Sequence, residues 1–154
     1  MAQQEYSIGG MITFPQLTAS YGLISGVIGA ASLINPHLCY DLVGQPSRWV
    51  PMLESSSGLY TLRLFGLQTV ALAAVSLHAA FNIREPSKRQ QLSNVLAALN
   101  LGNGLIAAWM YKEGILNPLG VSIHSGLSMA LGLGFLVYGL REDRRTGAGE
   151  PARD

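Results

Sequence analysis

Long apolar runs alternate with short polar ones along the chain. Four runs approach the ~20 residues that a helix needs to cross a bilayer: about Leu17–Ile34, Leu59–Phe81, Leu92–Tyr111 and Leu119–Leu140. Few charges interrupt them, and polar stretches separate them. The first follows Pro15, a residue suited to a first helical turn, and stops at Asn35-Pro36. The third ends at Lys112-Glu113-Gly114, and the fourth opens after Asn117-Pro118 and closes on Arg141-Glu142-Asp143-Arg144-Arg145. The pattern predicts an all-α membrane protein, a bundle of four transmembrane helices in one domain over residues 1–140. A charged tail over 141–154 is expected to lack structure. All connections are short except the roughly 24 residues between the first two helices.

Composition supports this division. Charged residues make up 12% of the 154 residues, whereas soluble domains hold roughly 25%. The 18 glycines also fit membrane helices. A net charge of +1 excludes an electrostatic nucleic-acid binder. Cys39 is the only cysteine and the three histidines are widely spread, so neither a disulfide within the chain nor a metal-ligand spacing is expected. The first ten residues lack the basic start of a cleavable signal peptide.

Basic residues set an expected orientation. Arg84, Lys88 and Arg89 lie in the second connection, and Arg141, Arg144, Arg145 and Arg153 lie in the tail. Seven of the ten thus fall on one side, which predicts that both termini are cytosolic. Small residues recur at four-residue spacing, as Gly22, Gly26 and Ala30 in the first helix and Ser122, Gly126, Ala130 and Gly134 in the fourth. Such ridges let helix backbones approach closely in lipid.

The candidate chemistry lies in the polar residues that lipid disfavours. Arg63 sits about one turn inside the second helix, where it either snorkels to the headgroups or faces the bundle interior. His124 sits at a similar depth in the fourth helix, and ideal helical spacing puts Asn117 and Ser128 on its face. Asp41, Glu54 and Glu113 lie in the loops on the same side. Asn100 and Asn103 share a face of the third helix, and Gln68 could join them in the floor of a pocket. Trp49, Tyr60, Trp109 and Tyr111 mark the expected lumenal interface, and some of them could wall a pocket mouth. His78, near the other end of its helix, stands outside this group. Acid–base chemistry or anion binding in a half-buried polar layer is what such residues offer.

The order of "INPHLCYDLVGQP", "LYTLRLFGLQ", "LGNGLIAAWMYKEG" and "VSIHSGLSMALG" resembles the small four-helix integral membrane proteins grouped as DoxX-like. Those proteins share a proline after helix one, an arginine early in helix two, a polar residue in helix three and a histidine early in helix four. Pro36, Arg63, Asn103 and His124 stand at those positions. Many relatives carry an acid where this chain has Asn103, which removes direct proton transfer from that position. Within the group the chain looks similar to proteins of fungal natural-product clusters, among them epoxide hydrolases and cyclases of the aurovertin and citreoviridin type.

That resemblance implies a membrane-embedded enzyme of polyketide or meroterpenoid biosynthesis. It would open, hydrolyse or cyclise an epoxide of an apolar substrate drawn from membrane lipid, without a cofactor. His124 is expected as acid or base with Asp41 or Glu54 as its carboxylate partner. Arg63 is expected to stabilise developing negative charge, and Asn103, Asn100, Tyr60, Trp109 and Gln68 to line the substrate site. The expected location is a multi-pass one in the endoplasmic reticulum. The alternative is a non-catalytic accessory subunit, or a binder of a lipid-like ligand, that partners a biosynthetic oxidase. In either case a homo-oligomer is a further possibility. Transport fits least, since four helices without inverted repeats leave little to rock.

Overall fold

The computed structural model describes residues 7–8, 12–45, 50–51 and 53–149, with the side chains of 7, 8, 12 and 142–149 left out of the description. A two-stranded antiparallel ribbon, β1 (Ser7–Ile8) and β2 (Ile12–Thr13), leads into α1 (Phe14–Ile34). Then follow α2 (Pro36–Val43), α3 (Ser56–Asn82), α4 (Pro86–Lys112), α5 (Pro118–Val121), a π-helical turn over Ser122–Gly126, and α6 (Leu127–Gly149). Among the described residues, four helical segments are long and apolar enough to cross a membrane: α1, α3, α4, and the run Pro118–Arg141. They match the four apolar runs of the sequence, and the chain is a multi-pass membrane protein. The last helix continues to Gly149, through most of the segment expected to be an unstructured tail.

Local chemistry fixes where these helices begin. Thr13 caps α1 through a capping box with Gln16, and Pro15 occupies the first turn. Ser55 Oγ accepts from Gly58 N–H at 3.0 Å to start α3. An Asn-Pro pair is used twice. Asn35 Oδ1 accepts from Leu38 N–H at 3.3 Å at the head of α2, and Asn117 Oδ1 accepts from Gly120 N–H at 2.6 Å at the head of α5. In both pairs the proline lacks only a donor that a first turn leaves unused.

The long first connection therefore contains a helix, and that helix is tied down. Asn117 Nδ2 donates to the carbonyls of Leu42 (3.1 Å) and Gly44 (3.3 Å). Backbone bonds Gln45 N–H to Ile115 O (2.9 Å) and Asn117 N–H to Val43 O (3.1 Å) complete the seam between α2 and the segment before α5.

The helices pack as two close pairs, α1 with α3 and α4 with α6. The first pair meets backbone to backbone. A Cβ on Gly66 would lie 2.8 Å from both Gly29 O and Leu33 N, and one on Gly29 would lie 2.8 Å from Val70 N. The buried positions of α3 are mostly small, from Gly58 through Gly66, Ala73 and Ser76 to Ala80. Large side chains such as Leu23, Val27, Phe65 and Val75 point outward. This arrangement suits lipid, in which apolar side chains lose nothing by exposure and small residues permit close van der Waals contact.

Sequence spacing placed the ridges only in part. On α1, Gly22 and Gly26 do face α3, but the next contact falls at Gly29 rather than Ala30. On the last helix the ridge through Gly126 and Ala130 is not the packing face, since a Cβ on Gly126 would meet nothing within 4 Å. Gly132 against Leu101, and Gly139 against Asn94, make the contact instead. Gly134, the last member of that ridge, looks onto α1, where a Cβ on it would lie 3.4 Å from Leu17.

The two pairs join at several levels of the bundle. Leu17 and Tyr21 of α1, Leu96 and Ala97 of α4, and the fully buried Phe135 of α6 form one cluster, with Tyr21 edge-on to Phe135 at 5.9 Å. At the bundle end that holds α2, a second cluster unites Leu53, Leu62, Ala107 and Leu116. The opposite end closes on aromatic rings. Phe14 lies 5.3 Å from Tyr138, and the Arg89 guanidinium sits 5.5 Å from the Phe14 ring centroid while its Nε donates to Ile83 O. The start of α1 and the end of the fourth span thus lie beside the α3–α4 turn.

Candidate functional site

His124 lies in the π turn, half-buried, packed among α4, α5 and α6. Its ring makes no hydrogen bond or ion pair among the described residues. Ser122 beside it is occupied, since its hydroxyl donates to Pro118 O at 2.8 Å. Both Ser122 and Gly126 are exposed, so the turn opens outward on either side of the histidine. π turns interrupt the regular backbone bonding and occur disproportionately at functional positions. Here Leu127 N–H is shared between the carbonyls of His124 and Ile123. Asn117, expected on the same face as His124, is consumed as the α5 cap and in its bonds to Leu42 and Gly44.

The other residues singled out in the sequence disperse. Arg63, Gln68 and Tyr60 are exposed on α3, Asn103 and Trp109 are exposed on α4, and Asp41 and Glu54 are exposed at the α2 end. No hydrogen bond or ion pair joins any of them to another or to His124 among the described residues. Arg63 belongs to the helix that packs on α1, whereas the π turn packs on the other pair. Trp49 lies outside the described residues.

Asn100 alone of the group is fully buried, at 2% exposure, and Asn103 points the other way. The three-residue spacing that suggested a common face does not hold against the width of this helix's packed stripe. Asn100 Nδ2 donates to Leu96 O at 2.8 Å, and the Tyr21 hydroxyl interacts with both Ser25 and Asn100. This small polar cluster near the middle of the bundle links α1 to α4 and ties one helix pair to the other. Nearby, the Thr18 and Ser93 hydroxyls are fully buried without a hydrogen-bond partner.

Sequence reasoning passed over Tyr21, Ser25, Thr18 and Ser93. A signal for them exists in the sequence: Thr18, Ser25 and Ser32 recur at seven-residue spacing, as do Ser93 and Asn100. All five are buried. At the α2 end, Tyr40 packs on the second apolar cluster, and burial raises its hydroxyl above the ordinary tyrosine value, opposed by a hydrogen bond with Ser32. Among the described residues no group of three or more His, Cys, Asp or Glu side chains could hold a metal ion.

What these features define is a class, a four-helix multi-pass membrane protein with a polar cluster in its core and a half-buried histidine near one end. Beyond that class no likeness narrows the identity: no family model, no curated protein and no solved structure matches the chain.

Proposed function

We propose that the protein is a membrane-embedded enzyme of natural-product biosynthesis that opens an epoxide of an apolar substrate, with His124 as its acid–base group. The observation that carries this reading is the position of His124. It is an ionisable side chain within a span, half-buried, unpartnered, and set in an irregular turn. A substrate dissolved in lipid would reach it from the side, past the exposed Ser122 and Gly126, without crossing water.

The chemistry requires little more than one imidazole. The neutral ring accepts a proton from the attacking water or internal hydroxyl as the new carbon–oxygen bond forms and the epoxide bond breaks. The resulting imidazolium then protonates the released alkoxide, which restores the starting state. Asp41, Glu54 and Arg63, exposed and apart, receive no direct role in this step. Arg63 instead extends along α3 to the headgroups. The basic residues of the α3–α4 turn and of Arg141 orient that end, with both termini, to the cytosol, and the endoplasmic reticulum is the proposed membrane.

Metabolite profiling in a producing host tests the proposal. A His124→Ala variant at wild-type protein level should accumulate one unopened precursor. An unchanged profile would remove His124 from the chemistry. A second reading, a non-catalytic accessory subunit, draws on the dispersal of the expected acid–base partners. Under it, deleting the protein would alter the profile while His124→Ala would not, and a biosynthetic enzyme would co-purify.

A further inference from the structure

Gln68 is the thirteenth of the 27 residues of α3 and therefore sits at the centre of that span. Its side chain is exposed and makes no hydrogen bond among the described residues. A primary amide facing hydrocarbon without a partner costs several kcal/mol on water-to-alkane scales. Unlike Arg63, it is too short and too deep to reach the headgroups.

The surface around it is continuous. Thr61, Leu64, Gln68, Ala71, Val75 and His78 follow one another at alternating spacings of three and four, and every one is exposed. Such a stripe has the spacing of a two-helix seam, and Gln68 is the polar residue that could set its register. It lies opposite the face that α3 packs on α1 through Gly66, Ala73 and Ala80. Asn103 on α4 is also exposed, but the stripe through it breaks at the buried Leu96.

The geometry points to a second copy of this chain as the occupant, forming a two-fold dimer through the outer face of α3. Hydrogen-bond self-complementarity argues for a copy, since a copy in the same orientation brings the same amide to the same depth. The amide carries a positive N–H₂ end and a negative carbonyl end. Across a two-fold axis along the membrane normal, each end of one Gln68 meets its opposite on the other. Two hydrogen bonds form from one residue type, and both copies keep the same orientation in the membrane. The dimer leaves the His124 end of α6 open to lipid and does not depend on the proposed chemistry.

Cross-linking and association in lipid test this. In a Cys39→Ser background, Val75→Cys on the stripe should form a disulfide dimer in native membranes, and Leu105→Cys on the outer face of α4 should not. In liposomes, with dimer fraction followed by single-molecule photobleaching against protein-to-lipid ratio, Gln68→Leu should weaken association about tenfold, and Gln68→Asn should recover part of it. A monomer at all ratios, a dimer linked through Leu105→Cys instead, or a Gln68→Leu protein that associates like wild type would each overturn the inference. The cross-linking pattern stands even if a Gln68 variant fails to fold, because it leaves Gln68 in place.

Discussion

The two helix pairs differ in what their most closely approached glycines meet, although Gly22 of the first pair also faces a side chain, that of Leu77. Between α1 and α3 the glycines Gly29 and Gly66 look onto backbone atoms, which cannot step aside. Between α4 and α6, Gly104 looks onto the thioether of Met129 and Gly132 chiefly onto the side chain of Leu101. Met129 can change rotamer; a peptide group cannot. The α1–α3 contact therefore tolerates little added volume at Gly29 and Gly66, and its outer face carries the proposed dimer stripe. The α4–α6 pair is the deformable one, and it carries the π turn and His124. Under the proposed function, the site that admits an apolar molecule from lipid sits on the pair whose contacts can give.

Substitutions can break this contrast or sharpen it. Gly66→Ala should be the most damaging, by about 3 kcal/mol or by loss of the folded protein, because overpacking against backbone has no cheap relaxation. Gly104→Ala should cost about 1 kcal/mol, since Met129 can move. Reversible unfolding in mixed detergent checks both, and equal losses would erase the distinction between the pairs.

Asn100→Ala probes the link between the pairs. It should cost about 1 kcal/mol, in the range of polar contacts between membrane helices. Gly126→Ala lies in open space at the π turn and should be neutral or slightly stabilising, by about 0.5 kcal/mol, as alanine generally is over glycine in a helix.

The smallest effect concerns Tyr40. Its hydroxyl is held above the ordinary tyrosine value by burial, so the stability it lends is present below pH ~10, where the unfolded tyrosine is still neutral. That stability is lost as the pH rises through the higher folded value. Tyr40→Phe should flatten this alkaline loss, as read by unfolding midpoints on either side of pH ~10.

The four spans were legible because apolar runs of bilayer length have few other meanings, and the helix start at Asn117-Pro118 was legible, whereas Asn35-Pro36 read only as a stop and the short α2 that begins there was missed. The packing faces were less so. Four-residue spacing of small residues put Gly126 on a contact face that it does not occupy, because such a ridge does not say which side a neighbour approaches, and nothing in the run Ser122–Gly126 announces the π turn. Arg63 and Gln68 could not be assigned to the inside or outside from depth alone. That choice depends on which neighbour α3 meets, and α1 approaches it along Gly66, which leaves Gln68 and Arg63 exposed. The polar core was missed for a related reason. Single hydroxyls such as Thr18 and Ser25 carry little weight in hydropathy, although their seven-residue spacing marks one buried stripe.

The central claim is that His124 is the group that moves the proton. The most direct measurement is turnover by the purified protein in lipid nanodiscs, with the precursor that accumulates in a host expressing His124→Ala as substrate. Wild type should convert it, and His124→Ala should be slower by about 10²–10⁴-fold, the usual contribution of a general acid or base, while unfolding as wild type does. A folded His124→Ala protein that turns over at the wild-type rate would contradict the account.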